Sequence, residues 1–268
     1  CVPPISTSFL PKCTKMKTSE RVPCRAGSDL KCGASMTVNS GGVFTIDNSV
    51  NVVSSRLNSK PITLAGGQLN FNLGGSATAA ADTGGILTLT QNSGYNTVGA
   101  AALQSITLAA ATTGSSQLTF TSIVPSVGSL LVSGPNLGGT AGTGVTNFIV
   151  TAGAGVVGGS GVAGSAASGS TQLSIVPYII GQNTSLTGNA QYGFVTDKVG
   201  GSLLTTGIRN LTTAEYLTTF ASGNATNDNV NLATVLSGIN AATTVNAVRL
   251  DTNAGIVGTG TLTISAGG

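Results

Sequence analysis

The chain has 268 residues, of which only 7% are charged and 4% aromatic; it contains no Trp and no His, and its formal net charge is +3. Roughly 25% charge is usual in a globular domain, yet 40% of this chain is hydrophobic, which excludes a disordered composition. The missing His excludes His-based triads and common catalytic zinc sites, and a vocabulary of Gly, Thr, Ser, Asn and Val suits strands and turns, not a helical bundle.

Residues 1–36 stand apart as a basic, Cys-rich N-terminal segment. Lys12, Lys15, Lys17, Arg21, Arg25 and Lys31 outnumber Glu20 and Asp29 there, giving +4, against −1 for the remainder. All four cysteines, Cys1, Cys13, Cys24 and Cys32, lie in this segment with four of the prolines. Their separations of 11, 10 and 7 intervening residues do not fit CxxC metal sites. Disulfides are the expectation, with three pairings open; a bridge to a neighbouring subunit and a lipid-modified Cys1 are the other readings. The positive charge would suit an anionic surface, but Phe9 is the segment's only aromatic and no nucleic-acid motif is present. A solvated cap with no nucleic-acid partner is expected.

From residue 37 a short pattern recurs. VNSGGVFTIDNS (38–49), AGGQLNFNLGG (65–75), TGGILTLTQNSG (83–94) and GTGTLTISAGG (258–268) each run from glycines into alternating apolar and small polar residues. Period-two alternation predicts strands at 43–46, 62–64, 68–73, 86–90, 104–108, 117–122, 129–132, 147–151, 172–176, 245–250 and 261–265. One such strand cannot bury its apolar face alone. If the chain coils so that each strand lies on a counterpart one turn earlier, the backbones pair and the Val, Ile and Leu side chains share one core. Roughly ten coils at ~4.8 Å would make a rod of about 50 Å. The glycine- and serine-rich stretch 153–170 reads as an exposed loop. A single short helix is expected at 212–223: Thr212 and Glu215 have capping-box spacing, Tyr216, Leu217 and Phe220 share a face, and Gly223 can end it.

SSRLNSKPITLAGGQLNF (54–71), GPNLGGTAGTGVTNF (134–148), STQLSIVPYIIG (170–181), YGFVTD (192–197) and GIRNLTTAEYLTTF (207–220) together resemble the autotransporter-associated β-strand repeat proteins, passenger-like surface proteins of bacteria. The resemblance covers most of 37–268 and leaves 1–36 uncovered. It implies an all-β, right-handed parallel β-helix or solenoid over 37–268, secreted or displayed on the cell surface. MTVNSGG (36–42) and TLTISAGG (261–268) hold similar places in the pattern, so the end of the domain looks like its beginning. In a giant protein this would be one unit of a ~225-residue super-repeat; in a free subunit the last strand could stack on the first coil of the next molecule, a heterologous contact that does not close.

The acids Glu20, Asp29, Asp47, Asp82, Asp197, Glu215, Asp228 and Asp251 are scattered, and read as turn and cap residues, not as a catalytic cluster. No P-loop lysine, no GGxGxD calcium repeat and no cofactor motif is present. Thr88/Thr90 and Thr119/Thr121 could belong to a flat ice-binding face, but Thr suits strands anywhere. No apolar run reaches the ~18–20 residues of a membrane span. Absent a secretory signal and starting at Cys, the sequence reads as a mature chain or an excerpt. Low charge and clustered cysteines point outside the cell. The expectation is a non-enzymatic extracellular structural protein without cofactor, a segment of a fibre that associates with itself. An adhesin or stalk that binds glycans or surfaces is the alternative.

Overall fold

A computed structural model describes residues 35–50, 52–73, 79–90, 104–109, 114–125, 129–140, 142–152, 169–198, 206–220, 226–233, 236–251 and 254–265. Cys1, Cys13, Cys24 and Cys32, and all but the last two residues of the loop expected at 153–170, lie outside the described residues.

The described residues are mostly strand, and most strands pair in parallel. The first ten run β1 (Met36–Asn39), β2 (Val43–Asn48), β3 (Ile62–Ala65), β4 (Gln68–Leu73), β5 (Ala79–Leu89), β6 (Gln104–Leu108), β7 (Ser115–Pro125), β8 (Leu130–Gly134), β9 (Val145–Val150) and β10 (Ile179–Asn183). Odd strands β1-β3-β5-β7-β9 form one parallel sheet, and even strands β2-β4-β6-β8-β10 form the parallel part of a second. The chain therefore alternates between sheets, and each strand lies on the one two places earlier. Pairing aligns like with like: Phe44 with Leu69, Ile46 with Phe71, and Phe71 with Leu108. Inward positions become columns of fully buried side chains, Leu69, Phe71, Ile106, Leu118, Phe120 and Phe148 among them. The Phe120 and Phe148 rings sit 5.9 Å apart, tilted by 48°, a favourable aromatic geometry.

Sequence alternation located most of these strands, and it matched β4 and β6 residue for residue. Depth was overestimated: the parallel sheets are five strands deep here, not ten, because each step of the ladder uses a strand in both sheets. Two strands, β5 and β7, are about twice as long as expected. The 11-residue β5 and β7 each change phase midway, where Asp82 and Leu87 both point inward although five residues apart. Gly84 and Gly85 allow that shift. A Cβ on Gly85 would lie 2.5 Å from the Ser59 carbonyl oxygen, and one on Gly84 would clash with the Cε1–Cδ1 edge of the Phe120 ring.

Beyond β10 the chain turns back. β11 (Tyr192–Asp197) pairs antiparallel with β10, and β12 (Ile208–Asn210) antiparallel with β11. A second, smaller parallel arrangement follows. β13 (Asn229–Leu232), β14 (Leu236–Gly238) and β15 (Thr243–Val245) pair in order with β16 (Ala247–Leu250), β17 (Gly255–Val257) and β18 (Leu262–Ile264). This is two layers of three short strands. The expected strand 245–250 is two strands meeting at a corner, at Asn246.

Two expectations fail. Residues 172–176 form no strand; Ile175 makes a single bridge. The expected helix at 212–223 is, within the described residues, one 3-10 turn at Thr213–Glu215. The capping box forms as its spacing predicts, but Tyr216 is already extended and Leu217 bridges in parallel to Val230. The Leu217 N–H donates to Asn229 O and its carbonyl accepts from the Asn231 N–H. Strand pairing has claimed the backbone groups that a helix would need.

Candidate functional site

The acids are the residues from which chemistry would have to come, and the described ones are bound to backbone N–H groups, threonine hydroxyls or arginines. Asp82 is buried on β5. Its carboxylate accepts from the N–H groups of Arg56, Leu57 and Thr83 at 2.8–3.0 Å. It thereby pins the turn through Ser55, Asn58 and Ser59, all at positive φ, a conformation costly for non-glycine residues. Burial raises the Asp82 pKa, and the three N–H bonds oppose that rise.

Glu215 ties together three segments. It forms a two-pronged ion pair with Arg209 of β12, both bonds 2.7 Å, and accepts from the N–H groups of Gly169 and Thr212. Burial works against its ionisation, but the guanidinium and the two N–H donors win and hold its pKa at about 2. The Arg209 side chain also donates to the carbonyls of Lys198 and Asn210. This knot joins the returning strands to the second core cluster, built on Leu173, Ile175, Leu211 and Tyr216.

The remaining acids are likewise engaged. Asp47 accepts from the Ser49 N–H, Asp197 from the Thr206 hydroxyl, Asp228 from the Thr171 hydroxyl, and Asp251 pairs with Arg249 at 2.7 Å. Among the described residues no group of three His, Cys, Asp or Glu side chains could hold a metal ion. No described helix is long and apolar enough to cross a membrane. The Thr rows are also interrupted: Thr88 lies on Thr63, but the next layer places Val124 against it.

The most unusual surface is the last layer, β16–β17–β18. Leu250 is paired with Leu232 and Ile264 with Val245. Leu232 and Val245 are 1% and 0% exposed, whereas Leu250 and Ile264, in the same columns, are 51% and 44% exposed. Ile256 and Val257 of β17 are open as well. Among the described residues, the apolar columns of this arrangement are buried in its first layer and open in its second. At the first layer of the main sheets the inward side chains Val38, Phe44 and Ile46 are buried. Gly67 lets that end close: a Cβ there would lie 2.5 Å from Val38 Cγ1.

Sequence reasoning marked the likeness of the two ends but not the contrast between them, since exposure within a column depends on what lies above it. It also missed Arg209 as the partner of Glu215; their six-residue separation carries no helical or strand signal once the helix is gone. Comparison of the chain with protein families, curated proteins and solved structures gave no match.

Proposed function

We propose that the chain is an extracellular structural protein, a β-solenoid that forms one subunit or segment of a cell-surface fibre built by end-to-end stacking. The single observation that carries this reading is the in-register parallel ladder, in which each strand lies on the one two places earlier. Such a ladder can be lengthened by further strands laid in the same way, and its backbone bonds and dry columns resist extension along the stack. The motif likeness to autotransporter-associated repeats supports the solenoid and the surface location. The acids support a structural role, because each described one is occupied with turn, cap or ion-pair bonds. Electron microscopy of the purified chain tests this. Unbranched filaments that lengthen with concentration are expected; monodisperse particles at every concentration would remove the fibre role.

A further inference from the structure

We propose that the outer face of the second sheet is a binding track for a neutral polysaccharide, ending in a pocket at Tyr192 that seats one sugar ring. The track is independent of the fibre reading, since a single molecule carries all of it.

Strand register builds the track. Thr45 lies beside Asn70, Asn70 beside Thr107, Thr107 beside Ser133, Ser133 beside Gln182, and Gln182 beside Tyr192. Their neighbours along the strands, Ile46, Phe71, Leu108 and Val132 among them, belong to the buried main cluster. Successive side chains point to opposite faces of a sheet, so this column faces away from the core. Six hydroxyl, amide and phenol side chains thus stand in line at steps of ~4.8 Å, over about 24 Å. None of them is charged.

One end of the column is locked in place. Ser133 Oγ donates to Gln182 Oε1 at 2.9 Å, and Gln182 Nε2 donates to the Tyr192 hydroxyl at 2.9 Å and to Gln191 Oε1 at 3.2 Å. The Tyr192 ring is therefore held by its hydroxyl while the residue stays 45% exposed. Because that oxygen accepts from Gln182, its own proton is left to donate to a ligand. A pocket of about 270 Å³ opens beside it, with Asn189, Arg249 and Asp251 in its lining. Arg249 Nη2 donates to the carbonyl of Asn189 at 2.6 Å and pairs with Asp251 Oδ1 at 2.7 Å. Guanidinium and carboxylate are thereby fixed side by side.

These groups select the chemistry of the ligand. A sugar ring offers a C–H face that stacks on an aromatic ring, and adjacent hydroxyls that both donate and accept. Tyr192 supplies the face, Arg249 the donors and Asp251 the acceptor. An anionic ligand is disfavoured, because any group that reached Arg249 would also meet the Asp251 carboxylate. A peptide strand docks on the edge of a sheet, not along its face. The pocket is just under the ~300 Å³ of the smallest ligand sites, which leaves room for a single ring. Binding energy must then be spread along the column, and only a chain of several sugar units gains from it.

The test is titration calorimetry of the whole chain with four neutral polysaccharides, an α-glucan, a β-glucan, a mannan and a galactan, and with polygalacturonate as the acidic probe. The parent should bind at least one neutral probe. Tyr192→Ala should weaken that binding about tenfold by removing the stacking face. Thr107→Arg, at an exposed position in the middle of the column, should weaken it to a similar degree. Thr63→Arg, on the outer face of the first sheet, should leave it unchanged. Circular dichroism confirms that the variants fold, and Thr107→Arg keeps the test decisive if Tyr192→Ala does not. Failure of the parent to bind all four neutral probes, or binding of polygalacturonate alone, overturns the proposal. So does equal weakening by Thr107→Arg and Thr63→Arg, or binding that neither Tyr192→Ala nor Thr107→Arg alters. A parent that forms filaments but binds no neutral probe loses the track and keeps the fibre; a monomer that binds keeps the track and loses the fibre.

Discussion

Glu215 shows how much a single acid does in a chain with so few. Its carboxylate holds Arg209, Thr212 and Gly169 at once, in a fully buried position. Its pKa falls from the ordinary 4.5 to about 2. A depressed carboxylate contributes stability above its unfolded pKa, and that contribution is lost as pH falls through the folded value. The shift corresponds to about 3 kcal/mol, lost between about pH 4.5 and pH 2. Urea unfolding across that range should show the steep fall in the parent chain. Glu215→Gln should start lower at neutral pH by a similar amount and fall less. Asp82, raised by burial, works with the opposite sign, so the difference between parent and variant isolates Glu215. Equal slopes for both proteins would mean the ion pair does not govern acid stability. Of this knot only the Thr212–Glu215 spacing was legible in the sequence. Arg209 and Gly169 meet it through tertiary contacts 6 and 46 residues away.

Alternation at period two exposes a strand whenever one face is buried, which is why β2, β4, β6 and β18 were readable from residues such as Leu69, Phe71 and Ile264. Where the phase changes, as at Gly84–Gly85, the same rule truncates the element: β5 was read from residue 86 although it begins at Ala79. Residues 212–223 failed for a different reason. Their apolar spacing fits a helix, but Leu217 and Phe220 serve the third core cluster without one, Leu217 from a parallel bridge to Val230. Three-stranded layers use strands of three or four residues, and alternation missed β13, β14 and β17 and ran β15 and β16 together, though it found β18. The crossing of layers at Gly85 gives a sharp element-scale expectation. Gly85→Ala would push Cβ into the Ser59 carbonyl at 2.5 Å and the Pro61 nitrogen at 3.0 Å, both backbone atoms. It should cost about 1–3 kcal/mol by overpacking. Gly142→Ala, whose Cβ meets nothing nearer than 3.7 Å, should leave thermal unfolding nearly unchanged. Equal effects at the two sites would mean the layers are not in such close register.

At the scale of the whole molecule, the two sheets and the small three-sided tail follow from one habit of the chain: returning to lie over itself. Thr63, for example, has Thr37 on one side and Thr88 on the other, each 25 or 26 residues away. Among the described residues, that habit gathers 25 buried side chains into the main cluster. Composition could suggest it, because Gly, Thr, Ser and Val suit strands and tight corners. It could not set the number of layers, since 25 residues separate Phe44 from Leu69 but 37 separate Leu69 from Ile106. The most direct measurement of this strand order, and of the proposed coil, is by nuclear magnetic resonance, reading contacts between amide and α protons across strands. The winding predicts contacts joining the Ile46 region to the Phe71 region and the latter to Leu108, with none joining β2 to β3 as a hairpin. Contacts between sequence-adjacent strands in place of these would contradict it, and with it the fibre.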